Sequence, residues 1–577
     1  MTNESKLTAL GHTALFASLN ASELEELAGL MTDHQVSAGD WLFHTGEEAT
    51  SFFIVVSGRL EAVDETHDAV LRDVGPGEWI GEFGVIAGEA RSAGVRAVRD
   101  SQLWAISDRS FTELLDRHRG IQRHVLRVLA QLLRQSRPAQ EIRRNGIIGV
   151  VATRRGISAQ RIARALAESL RTYGSAETIS LDTADHGETA TRGELSRTYG
   201  ELVDRAEAAN AWVLMVVDDD SGDAWRDYVL DQADRLAFLI GREAPEAAVL
   251  PPPGKRCDLV ITEQETSPQW WSALEPLSHH YVGARPKAAD LAPLARRLAG
   301  RSLGLVMSGG GARGLAHFGV YSELVQAGVT LDRFGGASAG AIAAAGFAMG
   351  MSPDEALEQA RRLFTHGNPL ADYTIPAVAL IKGERIERLK KEVVGDTLIE
   401  QLPKGFFSIS ADLITGKEIV HRRGSLWIAV RASLSIPGLL PPVKDGDRIL
   451  VDGGLLNNLP ADVMVADADG QAICVDLRRA FIPRRGYGLL PVQPPAVVRR
   501  LVGGTDEQLP SIQDTLIRSI DLAASARPLS DLPRLAAVIE PDVTRVGLLN
   551  FGQMNEAVEA GRIAARAALQ RHPELVG

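Results

Sequence analysis

At 577 residues the chain is longer than one hydrophobic core organises, so roughly two to four domains are expected. Its formal charge of -12 excludes a general nucleic-acid binder, whose phosphate contacts need a positive surface. Two cysteines, Cys257 and Cys474, lie far apart without metal-ligand spacing, which excludes a disulfide framework or a zinc site and fits a reducing compartment. The opening Met1 to Lys6 lacks the basic start and apolar run of a signal peptide. No apolar stretch reaches the roughly 18 residues of a membrane span; the nearest, Ala337 to Met351, is short and rich in Gly and Ala. The expected location is therefore cytoplasmic, with any membrane contact peripheral.

A short helix is expected from Ala21 to Met31, with Leu24, Leu27, Ala28 and Met31 on one face and Asn20 as N-cap. β-type runs follow, Phe52 to Val56 and Arg59 to Val63 among them, broken at Gly39-Asp40, Gly46 and Ser57-Gly58, the pattern of a β jelly-roll. Next, Gly75 to Gly84 carries Glu82 on a glycine turn, and nine residues later Arg91 and Ser92 supply a cation and a hydroxyl. That set suits a ribose hydroxyl, a phosphate and a base edge. From about Phe16 to Leu133 the chain resembles cyclic nucleotide-binding domains, and this stretch resembles their phosphate-binding cassette. The resemblance implies that Glu82 accepts from the ribose, that Arg91 pairs the cyclic phosphate, and that amides near Gly81 and Ser92 assist. The ligand would be cyclic AMP or cyclic GMP. Ile80, Ala90 and Gly94 depart from the family pattern, Glu89 is a candidate internal partner for Arg91, and a cassette that binds nothing is the alternative. Phe111 to Gln135 reads as a helix whose Arg119, Arg123, Arg127 and Arg134 form either a solvated face or a contact for acidic headgroups.

Ser136-Arg137-Pro138 breaks that helix, so residues 1–135 form one domain and 136–145 a linker. From 146 to 300, strands at Gly146 to Ala152, Trp212 to Val217, Arg235 to Ile240, Ala247 to Leu250 and Cys257 to Thr262 alternate with helices, as in an α/β layered domain. The first strand, the turn Thr153 to Ser158 and the helix from Ala159 stand like a P-loop, but its Gly-Lys-Ser/Thr ending is missing, which argues against nucleotide hydrolysis. Asp218-Asp219-Asp220 is read as facing water, and the domain as a spacer.

The last segment, 301–577, opens with a buried-type strand, Leu303 to Met307, then Ser308-Gly309-Gly310-Gly311-Ala312-Arg313-Gly314 and a helix from Leu315 to Ala327. Taken alone, this run fits a dinucleotide loop, with Asp332 near the distance of a ribose contact. A serine turn follows at once, Gly336-Ala337-Ser338-Ala339-Gly340, whose glycines permit a sharp corner that projects a hydroxyl. With a helix from Ala341 to Met349 behind it, the glycine run is better read as amides that stabilise an oxyanion. A serine needs a base. The one histidine after Asp452 is His572, near the C-terminus, and His317, His366 and His421 come earlier, so Asp452 of Asp452-Gly453-Gly454 is the economical partner.

These motifs, with Ala411 to Gly416, Arg431 to Gly438 and Asp452 to Pro460, resemble the patatin-like phospholipases, and the whole chain resembles their neuropathy target esterase branch. The resemblance implies a C-terminal α/β/α hydrolase with Ser338 as nucleophile, Asp452 as base, and Gly309, Gly310, Gly311, Ala312, Arg313 and Gly314 as the oxyanion loop. Its substrate would be a lysophospholipid, phospholipid or related ester, with no cofactor or metal needed for catalysis. Asn457 and Asn458 are expected to fix the Asp452 loop, and Leu548 to Phe551 to pack. The competing reading is an inert cyclic-nucleotide sensor or membrane-docking scaffold. A transcription regulator fails for want of a basic helix-turn-helix after Gln135.

Overall fold

The computed structural model describes residues 21–65, 69–88, 90–117, 146–154, 156–181, 192–218, 220–245, 250–251, 255–263, 266–366, 372, 374, 378–389, 393–466, 469–477, 529 and 532–576. The helix expected beyond 117 with its arginines, the linker 136–145, Glu89, Asp219, most of the strand expected at 247–250 and the tail from 512 to 528 lie outside the described residues. The chain forms two compact units, 1–295 and 296–577.

In the first unit, α1 (Ala21–Leu30) precedes an antiparallel β-sandwich of β1 (Thr32–Val36), β2 (Trp41–Phe43), β3 (Ser51–Asp64), β4 (Ala69–Val74), β5 (Trp79–Ile80) and β6 (Gly94–Ser107). Successive residues of β3 serve two cores, as strand geometry requires: Phe52 and Ile54 join Leu27 and Trp104, while Phe53 and Val55 join Phe43 and Leu103. The runs 52–56 and 59–63, expected as two strands, are one. Ser57-Gly58 does not reverse the chain; it shifts the register against β6 on both sides, a bulge that the positive φ of Gly58 accommodates. Two helices flank the cassette, α2 (Glu82–Ala87) and α3 (Asp108–Arg117).

The same unit continues into a six-stranded parallel sheet, ordered β12 (Ser278–Tyr281), β11 (Arg256–Ile261), β10 (Arg235–Ile240), β7 (Gly146–Ala152), β9 (Trp212–Val217), β8 (Ala176–Ser180). Every residue of β9 is buried, as in parallel strands covered on both faces. The turn after β7 does lead into a helix, α4 (Ala159–Leu170); Asp220 is exposed as expected, but Asp218 is half-buried and engaged. Its carboxylate accepts from the Ala159 and Gln160 amides at 2.6 and 3.3 Å, the donors that a phosphate would use at such a terminus. Where α5 (Arg192–Ala209) and α6 (Asp223–Gln232) meet the sandwich, Arg59 and Arg99 face Glu207 and Asp234, and Lys255 Nζ donates to the carbonyls of Val98, Asp231 and Ala233.

The second unit is built on an eight-stranded sheet ordered β17 (Val443–Asp445), β18 (Arg448–Asp452), β15 (Gly405–Asp412), β14 (Arg333–Gly336), β13 (Ser302–Met307), β19 (Gly470–Val475), β20 (Leu535–Ile539), with β16 (Glu418–His421) also on β15. Leu305 and Met307 enter one core and Val306 the other, so both faces are covered and the α/β/α layering follows. After the glycine loop a tight turn, Gly311–Leu315, precedes α7 (Ala316–Gln326). α8 (Ala339–Ala348) begins directly after Ser338, two residues earlier than expected; α9 (Leu426–Ser433) and α10 (Met554–Arg571) complete the elements used below.

Candidate active site

β13 and β14 are parallel neighbours with Met307 opposite Gly336, so the glycine loop and the serine turn leave the same edge of the sheet. β15 lies beside β14, and β18 runs antiparallel to β15 with Asp452 opposite Ser410. Three motifs remote in sequence thereby meet.

Ser338 sits at φ 52° and ψ -122°, one of three non-glycine residues with positive φ among those described. Such a backbone costs of order 1–3 kcal/mol and persists only where its surroundings impose it. The surroundings are explicit: a side-chain carbon at Gly340 would strike the Met307 carbonyl, and one at Gly336 would come within 2.7 Å of the same oxygen. The Ser338 amide is held by Ser433 Oγ at 2.9 Å, from α9.

Asp452 is buried and accepts from the Gly454 amide at 2.8 Å, with the Ser338 side chain close enough to pull its pKa down. Burial pushes its carboxyl up to about 6, against the pull of those two donors. A carboxylate poised there takes a proton from serine more readily than an ordinary one.

The six expected oxyanion residues are not equivalent. The Gly309 amide bonds to Asn458, the Ala312 amide to the Leu548 carbonyl at 2.7 Å, and the Arg313 amide to the Gly310 carbonyl at 3.1 Å. Those three amides are engaged, which corrects the expectation that Ala312 stabilises charge; Gly310 and Gly311 amides have no acceptor among the described residues. Gly311, Gly314 and Ser338 all line one apolar cavity. Asp332 is excluded from a dinucleotide role, because it precedes β14 at the opposite end of the strand and binds the Arg296 guanidinium at 2.7 Å.

Three of the four histidines named from the sequence have a defined place; the side chain of His366 lies outside the described residues. His317 Nε2 donates to the Ser308 carbonyl at 2.8 Å and burial pushes the ring down to about 4, so a neutral imidazole braces the start of the glycine loop. His421 bonds to Ser410 Oγ at 2.7 Å, and His572 to Glu574, on the C-terminal helix end. Asn458 ties the Asp452 loop to the glycine loop, as Oδ1 accepts from Gly309 at 3.0 Å, while Asn457 donates to Asp462. Sequence reasoning missed Ser433; its only signal was its place in the stretch Arg431 to Gly438.

In the first unit, Gly81 turns the chain at φ 86° and Glu82 opens α2. Both Glu82 carboxylate oxygens are buried without a hydrogen-bond donor, with Arg72 3.7 Å away. Burial raises the Glu82 carboxyl above its ordinary value, with its own amide, Arg72 and Arg91 opposing. Arg91 lies over the Phe43 ring and donates to the Gly81 and Ser51 carbonyls at 2.8 and 2.6 Å, leaving its buried Nε–H without an acceptor. Ser92 is exposed. A buried acceptor and a buried donor, both unsatisfied, fit a ligand that brings hydroxyls and an anion.

Residues 305–465 match the patatin-like phospholipase family, and 33–118 match the cyclic nucleotide-binding domain. Over 574 residues the chain is 52% identical to an uncharacterized NTE family protein of Mycobacterium bovis, and equally to one of Mycobacterium tuberculosis, spanning 99% of this chain and 97% of each relative. The chain belongs to the NTE family. Against lysophospholipase NTE1 of Mycosarcoma maydis it is 27% identical over 92% of its own length and 33% of that protein. Among solved structures, the regulatory domain of Toxoplasma gondii PKA with cAMP aligns with 19% of this chain and 44% of its own at 26% identity and a TM-score of 0.19. The N-terminal domain of a transcriptional regulator from Streptomyces coelicolor aligns with 22% of this chain and 92% of its own at 27% identity and a TM-score of 0.21. This NTE family protein thus joins a cyclic nucleotide-binding β-sandwich to a patatin-like lipid carboxylic-ester hydrolase domain. Among the described residues no helix is long and apolar enough to cross a membrane.

Proposed function

We propose that this NTE family protein hydrolyses the carboxylic ester of a lysophospholipid or related lipid through an acyl-enzyme on Ser338. Asp452 takes the Ser338 proton as Oγ attacks the ester carbonyl, and the Gly310 and Gly311 amides stabilise the oxyanion. The proton passes to the departing glycerol oxygen of the deacylated headgroup, and water, deprotonated by Asp452, attacks the acyl-enzyme to release the fatty acid and free Ser338. No metal or cofactor enters these steps. The observation that carries the reading is Ser338 at positive φ with its side chain beside a buried aspartate. The protein works in the cytoplasm, meeting lipid at the membrane surface. Its parts are a nucleotide-binding domain (1–135), a linker (136–145), a middle α/β domain (146–300) and the hydrolase (301–577), with a cyclic nucleotide on Glu82 and Arg91 as the regulatory ligand.

Ser338→Ala and Asp452→Ala are expected to lower turnover of a lysophospholipid panel by about a thousandfold or more with the fold intact, as for loss of a nucleophile or base. A fluorophosphonate probe should label the wild type and not Ser338→Ala. Labelling of neither, with no lipid turned over by the wild type, would replace this reading by the inert sensor or scaffold.

A further inference from the structure

The cavity beside Ser338 has a direction. Ser338, Ala339, Ile342, Ala345, Gly346 and Met349 all line it, the spacing of one face of a helix, so the cavity follows α8 away from the nucleophile. Eleven residues separate Ser338 from Met349, about 16 Å at the rise of an α-helix. The lining is continuous along that length, and Leu315, Phe318 of α7 and Val430 of α9 line the cavity together with α8. Its remaining walls are almost wholly apolar, and Met351 lies beside Met349 at the end remote from Ser338.

Gly346 is the anomaly in this wall. A glycine inside a helix costs about 1 kcal/mol against alanine, so its presence calls for a local reason. The usual reason, contact with a neighbouring backbone, does not apply: a side-chain carbon here would meet nothing closer than the Met351 sulfur at 3.6 Å, an ordinary contact. The missing side chain instead keeps the cavity open. Gly346 lies eight residues from Ser338, about 12 Å along the helix. At about 1.2 Å per bond of an extended chain, that depth corresponds to roughly the tenth acyl carbon, and Met349 to roughly the thirteenth.

We infer that Gly346 sets the acyl-chain length this site accepts, with Met349 as the end stop. The inference rests on the hydrolase reading and adds to it a ruler: chains up to about thirteen carbons lie within the cavity, and longer ones must displace Met349 or Met351. The substrate class is therefore an ester presenting a medium-to-long acyl chain to Ser338.

The test is kcat/KM of the full-length protein on p-nitrophenyl esters of about 4, 10 and 16 carbons, chosen to stop short of, reach and pass Gly346. Gly346→Leu is expected to lower the ratio of long- to short-chain kcat/KM by about tenfold or more, the discrimination that apolar pockets show for lost methylene contacts, with Gly346→Ala between. Met349→Ala should shift the ratio the other way, towards the longest ester, and it carries the test if Gly346→Leu does not fold. An active wild type whose ratio moves with none of these variants overturns the ruler alone. A wild type inert on every ester removes the hydrolase reading and the ruler with it.

Discussion

A free aspartate, near 3.9, is a poor base for a serine hydroxyl. Asp452 is a better one because the fold denies it water, and that has two measurable consequences. Activity needs the carboxylate, so kcat/KM is expected to rise with pH through an apparent pKa near the value of about 6 that burial imposes on Asp452. Stability moves the opposite way. Below about pH 4 the group is protonated in both native and unfolded chains and costs nothing. Between about pH 4 and 6 the unfolded chain releases a proton that the native state keeps, so stability falls as pH rises; above about 6 the loss is complete. The gap between 3.8 and about 6 corresponds to about 3 kcal/mol. Asp452→Asn should therefore abolish turnover at every pH yet raise the thermal midpoint of the hydrolase domain at pH 8 and leave it little changed at pH 4. An equal shift at both pH values would mean that the buried charge is not the cause.

At the scale of elements, the loops that end β13 and β14 were legible because their chemistry is local: contiguous glycines and a flanked serine have few other uses in that order. Ser433 was not legible in the same way, and Asn458, expected to fix the Asp452 loop, gave no sign of its reach to the glycine loop. Each acts across the sheet, Ser433 on Ser338 and Asn458 on Gly309, and no local periodicity marks a hydroxyl or amide that serves a distant backbone N–H. The Ser57-Gly58 bulge was misread for a related reason, since a glycine that permits a turn equally permits a strand to slip register. The cassette around α2 is a further case: Glu82 and Arg91 stood out, whereas Arg72, embedded in the strand pattern of β4, did not. Their unsatisfied atoms predict a ligand. Isothermal titration is expected to show binding of cyclic AMP or cyclic GMP, weakened about tenfold or more in Arg91→Ala and Glu82→Gln, in line with loss of a charge-assisted hydrogen bond. Wild-type protein that takes up neither nucleotide would make the cassette a structural or docking module.

At the largest scale, the first unit is held together by buried charge as well as by apolar surface. Asp234 receives the Ile147 amide at 2.8 Å and faces Arg59, Arg99 and Lys255, while Arg99 also meets Glu207 at 2.6 Å. Burial alone would raise the Asp234 carboxyl, but Arg59, Arg99, the Ile147 amide and Lys255 outweigh it and hold it below its ordinary value. Its contribution is accordingly present above the unfolded value of 3.8 and is lost as pH falls through the lower native value. Removing one partner from such a cluster strands the others without water, at a cost of about 3–5 kcal/mol. Asp234→Asn keeps the shape and the acceptor for Ile147 but deletes the charge. Near pH 7 it should speed amide exchange in both β6, which carries Arg99, and β7, whose Ile147 amide Asp234 holds, because both strands lean on one carboxylate. Faster exchange in β7 with β6 unchanged would show the sandwich and the parallel sheet to be independent of this cluster.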